Sequence, residues 1–234
     1  MNMQNILTVK NLMVSFDGRA VIRNVSFELA KAECIAVIGP NGSGKTVLLR
    51  ALLGTIPSEG NIVWGEEARI GYVPQKIDAD RHLPLNLLNL LCAKINILGL
   101  TKSELKVVSD TVGLTPAILK TPIGHLSGGQ FQKALIAFAL LGNPNVILFD
   151  EPTASLDQLT EEHVYELVDE LRERRGLSVI LVSHDLSIVS QYATKVLCLN
   201  KERVYFGPPH EALREETLQK LYGAPHKYHH HDHH

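Results

Sequence analysis

The sequence predicts an α/β protein with a mostly parallel sheet and an inserted α-helical subdomain. Three short apolar runs, at residues 34–38, 146–149 and 179–182, have the continuous hydrophobicity of strands that are buried on both faces. Helical patterns follow these runs, and strands that alternate with helices form a parallel sheet covered by helices on both faces. Residues 85–141 look predominantly helical and interrupt the alternation, so we expect them to form a subdomain of their own.

Alternation, capping and turn signals predict the remaining elements. In chain order these are short strands at 6–9, 12–16 and 25–29, a helix from 47 to 54, a helix that starts with a capping box at 101–104, a helix that closes at 176, a short helix after 182 and a strand at 195–200.

The composition is that of an ordinary globular chain of 234 residues. With 23 Lys and Arg against 25 Asp and Glu, the formal charge is −2, which argues against a general nucleic-acid binder. Three widely spaced cysteines without a CxxC motif favour a reducing compartment. We expect no signal peptide, and neither apolar segment, 83–100 or 134–141, reaches the roughly 20 apolar residues of a membrane span.

Residues 39–46 match the phosphate-binding pattern GxxxxGK[ST] in full, between a predicted buried strand and a predicted helix. The backbone N–H groups of such a loop point at one centre, where polyphosphate oxygens accept them, and the helix N-terminus adds positive partial charge. Lys45 is expected to reach the β and γ phosphates and to act in catalysis, and the Thr46 hydroxyl to ligate Mg²⁺. The candidate nucleotide-binding residues are Gly39, Pro40, Asn41, Gly42, Ser43, Gly44, Lys45 and Thr46.

Two adjacent carboxylates, Asp150 and Glu151, follow the apolar run 146–149. Ligands of α/β sheets bind beyond the carboxyl ends of the strands, so this pair is expected to face the same site as the phosphate-binding loop. Asp150 is predicted to hold Mg²⁺ through water. Glu151 is predicted to orient or deprotonate the water that attacks the γ-phosphorus.

The pentapeptide Leu126-Ser127-Gly128-Gly129-Gln130 lies between the loop and the carboxylates, and here the chain resembles the ATP-binding-cassette (ABC) ATPases over about residues 5–210. The resemblance implies a P-loop NTPase core, an N-terminal antiparallel β subdomain and a helical subdomain that carries the pentapeptide. The implied division is 1–84 with 142–210 for the nucleotide-binding core, 85–141 for the helical subdomain and 211–234 for a C-terminal helix and His-rich tail.

Four further positions match landmarks of the ABC ATPases in the family's order. Gln75 resembles the Q-loop glutamine, a catalytic and Mg²⁺-binding position, and Asp157 in Ser155-Leu156-Asp157 resembles the nucleotide-contacting D-loop. His184 matches the switch histidine, a catalytic residue that contacts the γ-phosphate. Phe16 stands where the family places an aromatic that stacks on adenine, and a side chain of the core is the alternative.

The resemblance also implies a homodimer when ATP is bound, with two nucleotides held at the interface. Ser127, Gly128, Gly129 and Gln130 of one subunit then bind the γ-phosphate held by Lys45 of the other. Exposed glycines and a serine at a helix N-terminus suit such an anion site. A lone subunit is expected to hydrolyse ATP poorly.

Two positions depart from the family pattern. Val47 replaces a hydroxyl residue after Thr46, which removes a side-chain hydrogen bond to the α-phosphate and about 1 kcal/mol of nucleotide affinity. Lys133 stands where Arg is frequent and keeps the charge without the forked geometry.

The short distance between the loop and the pentapeptide, in a single cassette, favours the separate ATPase subunit of an importer over the coiled-coil and tandem members of the family. A soluble ABC ATPase that acts on a macromolecule is the alternative. An integral-membrane permease is expected to dock where leucines crowd residues 83–91, although a helix buried on all sides would explain them too. We expect a peripheral subunit at the cytoplasmic face of a bacterial inner membrane, with no nucleic-acid partner.

The transported ion is predicted from residues 70–76 and 83–85, which look like the bacterial zinc/manganese-uptake branch, and from the tail. Zinc is the preferred cargo, manganese or another divalent ion is the alternative, and an extracytoplasmic metal-binding protein is an indirect partner. Imidazole suits Zn²⁺ well. A regulatory Zn²⁺ is expected on the C-terminal histidines, unless these form an affinity tag or an inert tail; they are His226, His229, His230, His231, His233 and His234.

Overall fold

The structure is a computed structural model that describes residues 5–75, 85–152, 158–200 and 204–222. The strands are, in chain order, β1 (Asn5–Phe16), β2 (Arg19–Ala30), β3 (Cys34–Ile38), β4 (Glu59–Trp64), β5 (Ile70–Val73), β6 (Val146–Asp150), β7 (Ser178–Val182), β8 (Lys195–Leu199) and β9 (Val204–Gly207). The helices are α1 (Lys45–Leu52), α2 (Leu87–Leu98), α3 (Lys102–Val112), α4 (Pro116–Lys120), α5 (Gly128–Leu140), α6 (Gln158–Arg175), α7 (Leu186–Tyr192), α8 (Pro209–Ala212) and α9 (Glu215–Tyr222), with a 3₁₀ turn at Ile123–His125.

An antiparallel sheet of order β2-β1-β4 contains the N-terminal strands. The strands predicted at 6–9 and 12–16 are one continuous strand, β1, because the pairing with β2 shifts register around Asn11 instead of ending there. Asn11 has a φ of +52°, a conformation that asparagine adopts more readily than most side chains. Its N–H donates to Ser26 Oγ at 2.9 Å, which holds the irregularity in place. β2 likewise starts at Arg19, earlier than predicted.

The second sheet has the order β5-β6-β7-β3-β8-β9, in which β8 and β9 pair antiparallel and the other described pairs are parallel. Every residue of β3, β6 and β7 is buried, as the apolar runs predicted. The α/β class with a mostly parallel sheet is therefore confirmed. β3 lies between β7 and β8, so the chain crosses to both sides of it, and ligands of open α/β sheets bind at such a point.

Three strands were missed by the sequence analysis, and all three lack a long apolar run. β4 is mostly exposed, β5 has only four residues including Gly71, and β9 is half-buried throughout. β5 and β9 lie at the two edges of the six-stranded sheet, where a strand needs less hydrophobic surface.

Helices α2–α5 fill the stretch between β5 and β6 and pack on a hydrophobic core that includes residues of β6 and β7. The capping box at the start of α3 is confirmed, with the Thr101 N–H donating to Glu104 Oε2 at 2.8 Å. In α2, Leu87 and Leu91 are buried, and Leu88 and Leu90 pack partly buried against the same core. The leucines at the start of this helix therefore contact the core, whereas Ile97 further along is 83% exposed. Leu83 lies outside the described residues.

The helices that the structure describes lie within residues 45–222, with the gaps given above. In that part of the chain, no helix combines the length and the apolar character that a membrane span requires.

Candidate functional site

The phosphate-binding loop, residues 39–46, joins the end of β3 to the start of α1, which begins at Lys45 rather than at the predicted residue 47. A Cβ at Gly39 would lie 2.1 Å from the carbonyl oxygen of Leu199, so a glycine is required where the loop passes the end of β8. Ser43 Oγ is buried inside the loop and has no hydrogen-bond partner among the described residues. Such an orphaned polar atom suits a loop that receives the oxygens of a ligand.

The side chain of Lys45 is folded back over this loop and is only 6% exposed. Its Nζ donates to the carbonyl oxygens of Gly39 at 3.0 Å and Pro40 at 3.4 Å. Burial lowers the pKa of the ammonium group, and the nearby Glu151 carboxylate opposes that shift. The ammonium group is therefore held at the centre of the phosphate-binding loop.

Asp150 ends β6 and is 2% exposed. Its Oδ1 accepts a hydrogen bond from Thr46 Oγ1 at 3.0 Å, and its Oδ2 accepts one from the Tyr72 hydroxyl at 3.2 Å. Burial raises the pKa of the Asp150 carboxyl, and these two hydrogen bonds oppose the shift. Burial and the adjacent carboxylate raise the pKa of Tyr72 to about 12, so its hydroxyl is a donor at neutral pH. The hydroxyl of Thr46 and the carboxylate of Asp150 are the hard oxygen ligands that Mg²⁺ prefers, and the pair fits a magnesium site.

Glu151 directly follows β6, and three donors lie around its carboxylate. Gln75 Nε2 donates to Oε2 at 2.5 Å, while His184 Nε2 lies 2.5 Å and Lys45 Nζ 3.6 Å from Oε1. The backbone φ of Glu151 is +46°, which is uncommon for a residue other than glycine, and its N–H donates to Val182 O at 3.2 Å. After this change in backbone conformation, the Glu151 carboxylate contacts Gln75 and His184, whereas the Asp150 carboxylate contacts other groups.

His184 follows β7 on a short, well-connected turn. Ser183 Oγ accepts the Asp185 N–H at 3.1 Å, and Asp185 in turn caps α7 by accepting the N–H groups of Ser187 and Ile188. These bonds hold the backbone on both sides of His184 and place its ring beside Glu151.

A cleft of about 580 Å³ opens over these groups. Its size is in the range of small-molecule sites. Its lining among the described residues is Val21, Asn41, Gly42, Gly44, Lys45, Thr46, Val47, Gln75, Glu151 and His184. The structure thus brings the phosphate-binding loop, Gln75, Glu151 and His184 to one cleft. Asp150 does not line this cleft but is hydrogen-bonded to Thr46, which does.

Two groups of predicted site residues lie elsewhere in the described structure. Phe16 is 45% exposed at the end of β1 and pairs with Arg19, two residues before Val21 of the cleft lining. Ser127 caps α5: its Oγ accepts the Gln130 N–H at 3.3 Å, and its own N–H donates to Gln130 Oε1 at 3.1 Å. Gly128 is exposed beside it. Asp157 and the tail histidines, His226, His229, His230, His231, His233 and His234, lie outside the described residues.

Tyr72 and Val21 are site residues to which the sequence analysis assigned no role. Tyr72 donates a hydrogen bond to the Asp150 carboxylate, and Val21 lines the cleft. The available signal for Tyr72 was its position three residues before Gln75, on the same segment. Its partner could not be inferred, since the strand β5 that carries it was not predicted.

The fold and this cleft define a nucleotide-hydrolysing protein of a specific class. The family model described as "ABC transporter" matches residues 22–154, and the chain belongs to that family. The resemblance inferred from the pentapeptide and the ATPase activity inferred from it are therefore confirmed.

Individual members of this family are similar to the chain over nearly its full length. The chain is 36% identical over 239 aligned residues to the "Zinc import ATP-binding protein ZnuC" of Buchnera aphidicola subsp. Schizaphis graminum (strain Sg), covering 99% of this chain and 98% of the relative. It is 37% identical to the protein of that name from Psychrobacter cryohalolentis (strain ATCC BAA-1226 / DSM 17306 / VKM B-2378 / K5), covering 95% and 91%. Among solved structures, an inward-facing ABC transporter of the metal-chelate type has a TM-score of 0.86 at 29% identity, covering 95% of this chain and 90% of that one.

Proposed function

We propose that this chain is the ATP-hydrolysing subunit of a bacterial importer that drives zinc uptake through a separate membrane permease. The observation that carries the hydrolytic part is the convergence of Gln75, His184 and Lys45 on the carboxylate of Glu151 at the phosphate-binding cleft. The zinc cargo is supported by relatives that match nearly the full chain and are named zinc import proteins. The solved transporter of the metal-chelate type supports the broader assignment to transport of a metal-containing substrate.

ATP is the substrate that the cleft fits. The N–H groups of the loop and the ammonium of Lys45 bind the β and γ phosphates, and the orphaned hydroxyl of Ser43 lies within the same loop. Phe16 is proposed to stack on the adenine ring. Its side chain is 45% exposed, and Val21 of the neighbouring strand β2 lines the cleft.

Thr46, Asp150 and Gln75 are the residues that would hold Mg²⁺. When bound, the ion neutralises charge on the β and γ phosphate oxygens. Asp150 is already fixed at both of its oxygens by hydroxyl donors, so its carboxylate needs little reorganisation to serve as a ligand, directly or through water.

Glu151 is proposed as the general base for hydrolysis. It accepts a proton from the attacking water as the new oxygen–phosphorus bond forms, and the bond between the γ-phosphorus and the β-bridging oxygen breaks to give ADP and inorganic phosphate. Gln75 and His184 orient the carboxylate by donating to different oxygens. Base catalysis of this kind contributes about 10²–10⁴ in rate.

A second copy of the chain is proposed to complete each site. Among the described residues that line the cleft, none comes from the pentapeptide, so Ser127, Gly128, Gly129 and Gln130 would act on the nucleotide of a partner copy. Ser127 Oγ uses its lone pair to cap α5, which leaves the hydroxyl hydrogen to donate to a phosphate oxygen. Asp157 is proposed to contribute to the same dimer interface.

The remaining partners follow from the importer assignment. An integral-membrane permease would hold the ATPase at the cytoplasmic face of the inner membrane as a peripheral subunit, and an extracytoplasmic metal-binding protein would deliver the ion. We propose no nucleic-acid partner, in line with the formal charge of −2. The helical segment 85–141 is proposed as the docking subdomain, with nucleotide-binding core at 1–84 and 142–210.

The C-terminal histidines are proposed to bind a regulatory Zn²⁺ that slows transport when the ion is plentiful. Six of the eleven histidines of the chain lie in this tail. Deletion of residues 224–234 is expected to leave ATPase activity of the reconstituted transporter unchanged without Zn²⁺ and to remove its inhibition at raised Zn²⁺. Inhibition that persists in the deletion variant would refute the regulatory role.

Transport itself is tested by reconstituting the chain with its permease in proteoliposomes and measuring ATP-dependent uptake of Zn²⁺ and Mn²⁺ in competition. We expect Zn²⁺ to be taken up in preference, with Glu151→Gln as the inactive control. A preference for Mn²⁺ would overturn the choice of ion. Stable association of the purified chain with ribosomes or DNA, without a polytopic membrane protein, would overturn the importer assignment.

A further inference from the structure

Tyr72 stands where the geometry of two paired strands gives it access to the magnesium-site carboxylate. In the parallel pair β5–β6, Tyr72 lies opposite Leu148. Side chains two positions apart along a strand share a face, so Asp150 is on the same face as Leu148 and is the diagonal neighbour of Tyr72. The length of a tyrosine side chain spans this diagonal, and its hydroxyl donates to Asp150 Oδ2 at 3.2 Å.

Hydroxyl groups from two different elements donate hydrogen bonds to the carboxylate of Asp150. Thr46, at the start of α1, donates to Oδ1, and Tyr72, in the edge strand β5, donates to Oδ2. The carboxylate is 2% exposed, so solvent is a poor substitute for either donor. Without the Tyr72 hydroxyl, one buried oxygen loses its donor, and the Thr46 hydrogen bond is left to orient the carboxylate without it.

The segment that carries Tyr72 also reaches the second carboxylate of the site. Three residues further on, Gln75 Nε2 donates to Glu151 Oε2. Tyr72 lies inside a hydrogen-bonded strand, whereas Gln75 is exposed beyond its end. One short segment thus contacts both carboxylates. Tyr72, inside the strand, contacts the proposed metal ligand Asp150, and Gln75, exposed beyond the strand, contacts the proposed base Glu151.

We infer that Tyr72 is a positioning residue for the magnesium site: its hydroxyl orients the Asp150 carboxylate that, with Thr46, holds the ion. The inference rests on the proposed function of the cleft as a site for Mg²⁺ and nucleotide. It assigns to Tyr72 an effect on metal affinity and none on the metal-free binding of nucleotide, which depends on the phosphate-binding loop.

The test compares Tyr72→Phe with the unaltered full chain by titrating Mn²⁺ and measuring the free ion by electron paramagnetic resonance. Each titration is made with and without ADP and is compared with ADP alone, so that Mn²⁺ held by the C-terminal histidines or by ADP in solution is subtracted. Loss of a hydrogen bond to a charged group predicts a Mn²⁺ dissociation constant that is raised about 10-fold. Binding of ADP in the presence of EDTA, followed by calorimetry, is expected to stay within about twofold. Tyr205→Phe is the matched control, because the Tyr205 hydroxyl donates to Glu211 Oε2 at 2.8 Å in β9, at the opposite edge of the same sheet.

The possible results distinguish failure of the positioning role of Tyr72 from failure of the proposed function of the cleft. Equal Mn²⁺ affinity in the Tyr72→Phe variant and the unaltered chain would overturn the positioning role, as would a similar loss in the Tyr205→Phe control. A parallel loss of metal-free ADP binding would also overturn it, since the effect would then not be specific to the ion. If the unaltered chain binds no Mn²⁺ with ADP, it is the proposed function of the cleft that fails.

Discussion

Lys45 Nζ lies 3.6 Å from Glu151 Oε1, so the ammonium group of the phosphate-binding loop is paired with the carboxylate that is proposed to activate water. Both side chains are largely buried, 6% and 15% exposed, where the attraction between opposite charges is stronger than in bulk water. A triphosphate that enters the loop competes with Glu151 for the same cation. We therefore expect the carboxylate to oppose nucleotide binding, in addition to its proposed role in hydrolysis.

Substitution Glu151→Gln is expected to separate these two effects. The neutral amide removes the proton acceptor, so hydrolysis should fall by about 10²–10⁴. It also removes the anion that competes for Lys45, so ATP should bind at least as tightly as in the unaltered chain. An ATP-bound dimer should accumulate, which light scattering coupled to size-exclusion chromatography measures directly.

Glu170→Gln is the matched control for this substitution. Glu170 pairs with Arg174 on the exposed side of α6, away from the cleft. Surface pairs of this kind contribute little to stability, so activity and dimerisation should be unchanged. Normal turnover by the Glu151→Gln variant would show that another group is the base.

Val47→Ser is expected to strengthen nucleotide binding. Val47 lines the cleft at the third position of α1, where a hydroxyl would reach the α-phosphate according to the family pattern. One added hydrogen bond to a phosphate corresponds to an affinity gain of about fivefold. Calorimetry with ADP and Mg²⁺ measures it, and Val63→Ser, at a 60% exposed position of β4, is the control. Equal affinities for ADP in the two variants would contradict the prediction.

The parts of the molecule that the sequence predicted are those in which one local pattern decides the structure. The continuous apolar runs defined β3, β6 and β7, and the motif with its glycines defined the phosphate-binding loop. The edge strand β5 has no such pattern and was not predicted. The contact between Tyr72 and Asp150 could therefore not be predicted either, because this contact depends on the register of two strands that are distant in sequence. Glu151 and His184 were identified, but their approach to 2.5 Å requires the parallel pairing of β6 with β7.

Tyr205 is expected to give a measurable dependence of stability on pH in the alkaline range. Burial and the hydrogen bond to Glu211 raise the pKa of Tyr205 from 10.0 to about 12. Because the folded pKa lies above the unfolded one, the stabilisation is fully present below pH 10 and is lost as the pH rises through 12. The difference in free energy of unfolding between the unaltered chain and Tyr205→Phe should therefore be constant from about pH 7 to 9 and shrink above 10. Urea denaturation measures this difference, in which the other tyrosines cancel, and a constant difference up to pH 12 would contradict it.

Ser127→Asp is expected to abolish hydrolysis without unfolding α5. Aspartate is as good an N-cap as serine, so the N–H of Gln130 keeps its acceptor. In the proposed dimer, however, the added negative charge would repel the γ-phosphate of a nucleotide bound to the partner copy. Thermal unfolding should be unchanged while ATPase activity is lost, and Lys45→Met should lose activity for the different reason that it no longer binds the phosphates.

Mixing these two inactive variants tests whether the pentapeptide acts on the partner copy. In a mixed dimer, one site combines both substitutions, and the other combines an unaltered Lys45 with an unaltered Ser127. With random pairing of equal amounts, half of the dimers are mixed, so about one quarter of the activity of the unaltered protein should return. If each chain instead used its own pentapeptide, every site would carry one substitution and the mixture would remain inactive.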